Sequence, residues 1–392
     1  MKEALILSRA RTPLGSFQGS LSSIISPRLG GLVIAEAVRR AGVPPAEVEQ
    51  VIMGCVLPAG LGQAPARQAT LFAGLDPRVS SLTVNKVCGS GLKAVALAAQ
   101  EIWLENSELL VGGGMESMTG APYLLKQARG GFRMGNGEVV DGMIHDGLWD
   151  PYANCHMGSF ADKTADDYKI TRAEQDEFAA ESYRRALKSQ AEGRFKEEIV
   201  PVEIQLKKGE PIVVSEDEEP KRVKFEKIPA LSPAFNKNGT VTAANASSIN
   251  DGAAALVLAA AEKAKALNLK PLARVVSYAE HSQEPQWFAT APPASIEKAL
   301  QKAGLKIKDI DVFEINEAFS VVTLYAIRHL KIDPAKVNIY GGAAALGHPI
   351  GASGARLLCT LITVLKDRGG RYGLASLCVG GGEAVTMVIE RI

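Results

Sequence analysis

Two stretches of the chain repeat the same order of apolar and polar positions. Residues 37–51 and 299–313 each predict the end of an amphipathic helix that stops at Ala-Gly and is followed by an apolar strand. Further along, residues 88–91 (CGSG) match residues 351–354 (GASG). Each of these short motifs predicts a tight turn from a strand into an Ala-rich helix.

A third match extends the repeat to the next strand. Residues 111–114 and 379–382 both read VGGG, which predicts an apolar strand that closes on three glycines in each copy. Because the three matches occur in one order, they indicate a duplicated unit. Alternating strands and helices predict an α/β fold, with residues 1–119 as an N-terminal half and residues 271–392 as a C-terminal half.

The segment between the two copies differs from them in composition. Residues 120–244 include a glycine-rich stretch, a charged helix with Thr171 as N-cap and Glu174 at its third position, and a run of charges that reads as a solvated loop. These features predict an inserted loop domain. Residues 245–270 then return to apolar packing, predict a turn and a long Ala-rich helix, and are expected to complete the N-terminal half.

Charge and cysteine usage exclude several classes of protein. The chain of 392 residues has a net charge of +1, which argues against nonspecific binding to nucleic acid or to a membrane. Its longest apolar run, residues 253–261, is shorter than the about 20 residues of a spanning helix, and residues 4–7 are too few for a signal peptide. Five cysteines without CxxC spacing predict neither disulfides nor a zinc site. We therefore expect a cytoplasmic protein.

Cys88 is the first candidate for chemistry, because an apolar strand leads into it and a helix begins just after it. A thiol at such a turn is exposed near a helix N-terminus, where the dipole and the free N–H groups are expected to lower its pKa from about 8.5. The alternative is a small buried cysteine at a packing turn.

The second copy holds the remaining candidates. His348 precedes its glycine-rich turn and could serve as the base for Cys88, or could be a core histidine. Cys378 precedes Gly380 and its two glycine neighbours, which suggests acid/base work beside a close backbone approach, and the absence of GK[ST] argues against a phosphate cradle. The amide of Asn316 could hold a water or polarise a carbonyl.

Together these motifs resemble the thiolase family from end to end. The matching stretches are SRARTPLGSF, NKVCGSGLKA, GGGMESM, DGLWDPY, CHMG, GTVTAANASSINDGAAA, NEAF, GGAAALGHPIGASGAR and CVGGG. The resemblance implies duplicated α/β halves in a layered α-β-α-β-α core, with the inserted loop domain binding coenzyme A. It also implies a homo-oligomer, either a dimer or a dimer of dimers.

The resemblance also implies a role for each candidate. Cys88 would be the acylated nucleophile, His348 the base that activates it, and Cys378 the group that moves the substrate's α-proton. Asn316 would hold a water that forms one oxyanion hole with His348, and the backbone N–H groups of Cys88 and Gly380 would form the other. The implied reaction is a reversible Claisen condensation of two acetyl-CoA molecules. No metal and no tightly bound cofactor are implied, and coenzyme A and acetyl-CoA are substrates.

Coenzyme A would be held mainly by the insert and the segments that follow it, although each of these residues could instead serve ordinary packing or a solvated face. The expected contacts are Leu148, His156, Met157, Lys221, Arg222, Phe235, Ala243, Ala246, Ser247 and Phe319. Met157 and Phe235 favour a short acyl pocket, and Lys221 and Arg222 match loosely the place of the cofactor's phosphate.

Alternatives remain open at this stage. Ala244, Phe288, Glu383 and Ala384 depart from the family pattern near the pocket, which leaves room for a degradative thiolase of fatty acid metabolism that acts on longer chains. A ketoacyl synthase would need a second histidine in a matching turn. A non-catalytic thiolase-like binding protein would be expected to lack one of the four main site residues.

Overall fold

The computed structural model describes residues 2–205 and 209–392. The helices of these residues are α1 Ser26–Ala41, α2 Pro65–Phe72, α3 Ser90–Trp103, α4 Met157–Asp167, α5 Arg172–Ala191, α6 Ala261–Ala266, α7 Pro292–Ala303, α8 Ser320–Leu330, α9 Ala343–Leu346 and α10 Ser353–Arg368. No helix in the described ranges has the length and the apolar character that a membrane span requires.

The strands fall into one large sheet and three small hairpins. They are β1 Ala4–Arg11, β2 Gly15–Ser16, β3 Gln50–Gly54, β4 Ser80–Val84, β5 Leu109–Ser117, β6 Tyr123–Leu124, β7 Val140–Asp141, β8 Trp149–Asp150, β9 Cys155–His156, β10 Val202–Ile204, β11 Ile212–Val214, β12 Asn250–Ala260, β13 Ala273–Ser282, β14 Val312–Ile315, β15 Tyr372–Val379 and β16 Glu383–Arg391.

The large sheet shows the duplication directly. Its order is β14-β15-β16-β13-β1-β12-β5-β3-β4, with β2 paired to β12. In each half a parallel pair (β3 with β5, β14 with β15) continues into an antiparallel neighbour (β12 or β16), and the halves join where β1 pairs with β13. The expectation of a duplicated α/β fold is confirmed.

Successive residues of a strand pack against helices on opposite faces of the sheet, and this arrangement determines the order of the layers. In β3, Ile52 packs against α3 and α10, whereas Val51 and Met53 pack against α1 and α2. In the C-terminal half, Leu377 faces α3 and α10, whereas Leu374 faces α7 and α8. Because side chains alternate along a strand, each half-sheet lies between two helical layers and the order is α-β-α-β-α.

The repeated motifs occupy equivalent places. Both α1 and α7 end at a glycine in the left-handed conformation, Gly42 at φ +67° and Gly304 at φ +68°. Each helix leads to the first strand of a parallel pair, as the sequence predicted. A residue with a side chain would be strained at both positions, which explains the Ala-Gly ends.

Two expectations were wrong in detail. Residues 250–260 form the strand β12 between β1 and β5, and only the short helix α6 follows. The sequence predicted a long helix here because an apolar run that is buried on both faces has no periodicity to separate strand from helix. The VGGG motif at residues 111–114 lies inside β5 rather than at its end, so its glycines are not equivalent to residues 380–382.

The insert is fixed to the core by a buried ionic network. Arg11 of β1 donates to Glu198 at 2.6 Å and to the two carboxylate oxygens of Asp217 at 2.7 and 2.9 Å. Glu198 also accepts from Thr363 of α10 at 2.6 Å, and the Arg11, Glu198 and Asp217 side chains are fully buried. Since each buried charge has a partner, this network holds residues 198 and 217 of the insert against both β1 and α10.

The N-termini of α3 and α10 touch at the centre of the molecule. A Cβ on Gly91 would lie 2.9 Å from the backbone nitrogen of Ala355, and one on Gly354 would overlap the backbone of Leu92. A Cβ on Gly114 of β5 would overlap the carbonyl oxygen of Gly351. Glycine is therefore required for this approach, which brings the turns before the two helices together.

Candidate active site

A cavity of about 210 Å³ lies beside these two helix N-termini. It is lined by Cys88 from the turn before α3, by His348 from the turn before α10, and by Cys378 and Gly380 from the end of β15. A larger open cleft of about 580 Å³ between α5 and the C-terminal half contains none of these four residues. The cavity is therefore where the chemistry predicted from the sequence comes together.

The turn that carries Cys88 is strained. Val87 has φ +43°, a left-handed conformation that a β-branched residue rarely adopts. The Ser90 hydroxyl accepts a hydrogen bond from the Lys86 N–H at 2.8 Å and donates to the Val87 carbonyl at 2.7 Å, which holds the turn closed. The result places Cys88 on the cavity wall directly before α3.

The expected lowering of the Cys88 pKa is wrong. Burial raises the pKa of the Cys88 thiol to about 11, and the backbone N–H groups of Gly380 and of Cys88 itself only partly oppose this. Desolvation exceeds the effect of the helix N-terminus because the thiol is enclosed by apolar walls. Cys88 therefore rests as a thiol and needs a base.

His348 is arranged as that base. The Ser353 hydroxyl donates to the Pro349 carbonyl at 2.9 Å, so it can only accept from His348 Nδ1, 2.6 Å away. We therefore assign the proton to Nδ1, which leaves Nε2 free to accept. Burial, helped by the charge of Arg356, lowers the pKa of His348 to about 3, and the ring is neutral.

Asn316 lies next to this free nitrogen. Its side chain is fully buried, and its Nδ2 is 3.4 Å from His348 Nε2. Among the described residues its Oδ1 has no hydrogen-bond partner. The neighbouring Glu317 accepts from Ser182, from Asn338 and from the Ala344 N–H, which fixes the loop that carries Asn316.

Cys378 is the second thiol of the cavity. It ends β15 in the apolar cluster that also contains Met157 and Phe288, and its side chain is buried. Burial raises the pKa of Cys378, and negative charge on Cys88 raises it further. The two thiols are thus electrostatically coupled: ionisation of Cys88 opposes ionisation of Cys378.

The three glycines after Cys378 form the turn into β16. Gly381 and Gly382 have φ +89° and +85°, and a Cβ on Gly382 would overlap the Gln283 carbonyl. Gly380 has no such requirement, but its N–H points to the Cys88 sulfur and it borders the cavity. The turn thus supplies a backbone donor beside the nucleophile.

Seven of the ten residues expected to contact coenzyme A line the cavity: Leu148, His156, Met157, Phe235, Ala246, Ser247 and Phe319. The structure does not bring the other three there. Ala243 is exposed, and Lys221 and Arg222 are exposed and paired with Glu216 and Glu219. Their contact with a phosphate stays a prediction.

Aromatic rings close one wall of the cavity. Phe235 stacks on His156 at a centroid distance of 4.5 Å and meets Phe319 edge to face at 6.0 Å. Phe288, which departs from the family pattern, meets Phe319 from the other side at 6.0 Å. Met157 lies in the same apolar cluster. These contacts support one another and make the wall difficult to displace.

Two residues that support the site from outside the cavity lining were missed in the sequence. Ser353 orients His348, and its place in GASG opposite Ser90 in CGSG was a signal, since both serines brace their turns. Glu116 is fully buried, burial raises its pKa to about 7, and it accepts from the N–H groups of Val56, Leu57 and Gly351. Only the tertiary structure reveals those partners.

Comparison with known proteins agrees with this geometry. Residues 4–262 match the family model "Thiolase, N-terminal domain", and residues 269–391 match "Thiolase, C-terminal domain". The chain is similar to the crystal structure of the Acat5 thiolase from Ascaris suum in complex with coenzyme A, with a TM-score of 0.95, 44% identity and full coverage of both chains.

Curated relatives are similar over nearly their whole length. Acetyl-CoA acetyltransferase 2 of Arabidopsis thaliana is 51% identical, with 99% of this chain and 97% of the relative covered. Acetyl-CoA acetyltransferase of Cupriavidus necator is 50% identical with both chains fully covered, and the probable acetyl-CoA acetyltransferase of Dictyostelium discoideum is 49% identical over 100% of this chain and 95% of its own.

Removal of the Ser353 hydroxyl tests the assignment of the His348 proton. In wild type, ¹⁵N NMR of histidine-labelled protein should show one neutral tautomer with the proton on Nδ1, unchanged from about pH 8 to about pH 5 because the pKa lies far below that range. Ser353→Ala should mix the two tautomers. Ser376→Ala, another buried serine, should not, and His348→Gln assigns the signals. Titration of His348 near its ordinary pKa would contradict the assignment.

Proposed function

Because the chain belongs to the thiolase family, we propose that it is an acetyl-CoA acetyltransferase, which joins two acetyl-CoA molecules reversibly into acetoacetyl-CoA and coenzyme A. The observation that carries the proposal is that two thiols and a neutral histidine line one small cavity. A Claisen condensation needs a parked acyl group and a group that removes an α-proton, and these side chains can supply both.

The first step transfers the acetyl group to Cys88. His348 Nε2 takes the thiol proton as the sulfur attacks the thioester carbonyl, and the C–S bond to coenzyme A then breaks. The same proton passes to the departing thiolate, so that acetyl-Cys88 and free coenzyme A remain. The raised pKa of the Cys88 thiol means that this step needs a base. His348 can serve as that base because its ring is neutral and its Nε2 is free to accept the proton.

The second step forms the carbon–carbon bond. Cys378 first passes its thiol proton to the free His348 Nε2. The thiolate then removes a proton from the methyl group of a second acetyl-CoA, and the resulting carbanion attacks the carbonyl of acetyl-Cys88. The bond to the Cys88 sulfur breaks and the sulfur takes the proton held on His348 Nε2, while Cys378 keeps the proton from the substrate, so both cysteines end as thiols. Acetylation blocks the Cys88 sulfur, so Cys88 can no longer carry the negative charge that opposes ionisation of Cys378.

Developing negative charge on oxygen would be stabilised at two places. Cys88 and Gly380 both line the cavity, and the glycine turn fixes the backbone beside Gly380, so their N–H groups could serve one oxygen. On the other side, His348, whose Nε2 carries a proton in the second step, and a water held by Asn316 would serve the second thioester oxygen. Each such donor is worth about 3 to 4 kcal/mol in the transition state.

The enclosed end of the cavity favours short acyl chains. Met157 and Phe235 border it, and Phe319 holds Phe235 in place. Each further methylene would have to displace these packed side chains, at a cost of about 1 to 3 kcal/mol. The pantetheine arm would pass the residues of the insert, with its phosphates toward Lys221 and Arg222.

Association with a second copy and a cytoplasmic role in fatty acid metabolism are part of the proposal. Among the strands of the described residues, β4 pairs with β3 alone, so its other edge offers free backbone groups. Leu82 on β4 and Leu71 on α2 are 44% and 45% exposed. A homotetramer would also cover the Met134 side chain, which lies in the glycine-rich stretch of the insert and is 98% exposed. Immunoblotting of cell fractions tests the location.

Acetyl labelling tests the roles of the two thiols. Incubation with acetyl-CoA should add one acetyl group at Cys88, located by peptide mass mapping. Cys378→Ala should still be acetylated but should lose α-proton exchange and acetoacetyl-CoA formation by about 10²-fold or more, since only the second step needs this thiol. Cys359→Ala, a buried thiol outside the cavity, is the control. A label on Cys378, or undiminished condensation by Cys378→Ala, would refute the assignment.

Chain-length profiling tests the pocket. Acetoacetyl-CoA should be the best thiolysis substrate, and the eight-carbon 3-ketoacyl-CoA should have a kcat/KM at least about 10-fold lower. Met157→Ala should recover part of that loss while leaving acetylation of Cys88 intact, and Met134→Ala should recover none. A wild-type preference for eight carbons would favour a degradative thiolase of longer chains.

Sedimentation velocity tests the association. Wild type should sediment as a dimer or a dimer of dimers, and Leu82→Lys should shift toward monomer because a charge would then face the shared edge. Leu104→Lys, at a residue that is 69% exposed after α3, is the control. A monomeric wild type would contradict the proposal.

A further inference from the structure

A charged cluster links the turn that carries Cys88 to the turn that carries Gly380. Lys86, two residues before Cys88, places its Nζ 2.5 Å from Glu383 Oε2 and 3.3 Å from Glu280 Oε2. Glu383 begins β16 directly after the glycine turn, and Glu280 lies on the adjacent strand β13. One ammonium group of the N-terminal half thus bridges two carboxylates of the C-terminal half.

The two carboxylates are themselves held in place. The Tyr278 hydroxyl and Lys93 Nζ donate to Glu280 Oε1 at 2.6 and 2.7 Å, and the Ser282 hydroxyl donates to Glu383 Oε1 at 3.0 Å. Lys93 belongs to α3, so the cluster is also bonded to the helix that follows Cys88. These bonds orient both acceptors toward Lys86.

The contacts within the cluster favour the charged forms of Lys86 and Glu280. Burial by itself would lower the pKa of Lys86, but its hydrogen bond with Glu383 and the charge of Glu280 raise it. Burial would raise the pKa of Glu280, but its bonds with Lys93 and Tyr278 lower it to about 2. The side chains of Lys86, Glu280 and Glu383 are 18%, 32% and 31% exposed, so solvent screens them only in part.

Lys86 stands directly before the strained residue of the turn. Its N–H is bound by Ser90, and the next residue, Val87, has the unfavourable φ of +43°. A strained residue of this kind persists only where its surroundings hold it. The Val87 side chain also lies where a Cβ on Gly380 would meet it, at 3.5 Å, so the two turns are in contact.

We propose that Lys86, Glu280 and Glu383 are positioning residues that set the distance between the N–H groups of Cys88 and Gly380. The inference deepens the proposed function and rests on it, because these two donors form one oxyanion hole of the reaction. The cluster lies outside the residues that line the cavity and acts only through the two turns.

Three variants test this role in thiolysis of acetoacetyl-CoA. Glu383→Gln keeps the shape of the side chain, and Lys86→Met keeps the stem, but each removes a charge. Both should lower kcat about 10-fold or more with KM within about twofold, because a misplaced donor weakens binding of the transition state only. Lys86→Arg, which can still bridge two carboxylates, should stay within about threefold of wild type. The double variant Lys86→Met/Glu383→Gln should lose less kcat than the product of the two single losses, because both substitutions break the same ion pair.

Alkylation of Cys88 by iodoacetamide, at one fixed pH and followed by peptide mapping, separates geometry from charge. Removal of the negative Glu383 would by itself favour the thiolate and speed alkylation. Displacement of the Gly380 N–H, which favours the thiolate, would slow it. The proposal predicts alkylation at least about threefold slower in Glu383→Gln. This measurement needs no turnover: a wild type that does not cleave acetoacetyl-CoA would refute the proposed function, and the alkylation rates would still decide the role of the cluster.

The ion pair of Lys263 with Glu47 provides the matched control. It joins α6 to residues 45–47 at 2.6 Å with similar exposure, and neither residue borders the cavity. Glu47→Gln should leave kcat and alkylation unchanged. An unchanged kcat in both Lys86→Met and Glu383→Gln, an Arg variant as slow as the Met variant, or alkylation of Glu383→Gln as fast as or faster than wild type would overturn the proposal.

Discussion

The close contact of α3 and α10 is the constraint on which the rest of the molecule depends. Gly91 and Gly354 let two helix N-termini approach to backbone distance, and Gly114 and Gly351 extend the approach to β5. Any side chain at these positions would separate the halves. Because Cys88 stands just before α3 and His348 just before α10, the same glycines bring the Cys88 thiol and the His348 imidazole to one cavity.

Burial governs the chemistry of that cavity more than helix dipoles do. The apolar walls raise the pKa of both thiols and lower the pKa of His348, so all three groups rest uncharged. A neutral thiol beside a neutral imidazole forms no ion pair that would have to be broken. In the proposed reaction, negative charge would develop only as the acyl group moves, on an oxygen that the backbone N–H groups of the two turns would stabilise.

The insert is part of the active site because ionic and hydrogen-bonded contacts fix it to the core. Arg11, Glu198 and Asp217 are fully buried and mutually satisfied, and Ser182 of α5 reaches Glu317, the neighbour of Asn316. Removal of one partner would leave a buried charge alone, at a cost of about 3 to 5 kcal/mol. The segments that carry Met157 and Phe235 are thereby held over the two thiols.

Much of this protein could be predicted from the sequence, because the duplication repeats local signals that are strong in isolation. The Ala-Gly ends of α1 and α7, the glycine turns at Cys88 and His348, and the α/β order followed from short motifs. The prediction of a helix over residues 250–260 was wrong, since an apolar run buried on both faces has no period that separates strand from helix. The raised pKa of Cys88, the proton on His348 Nδ1 and the partners of Glu116 and Lys86 were decided only by the tertiary structure. Each depends on groups far apart in the chain, because desolvation and hydrogen bonding arise only when the two halves pack.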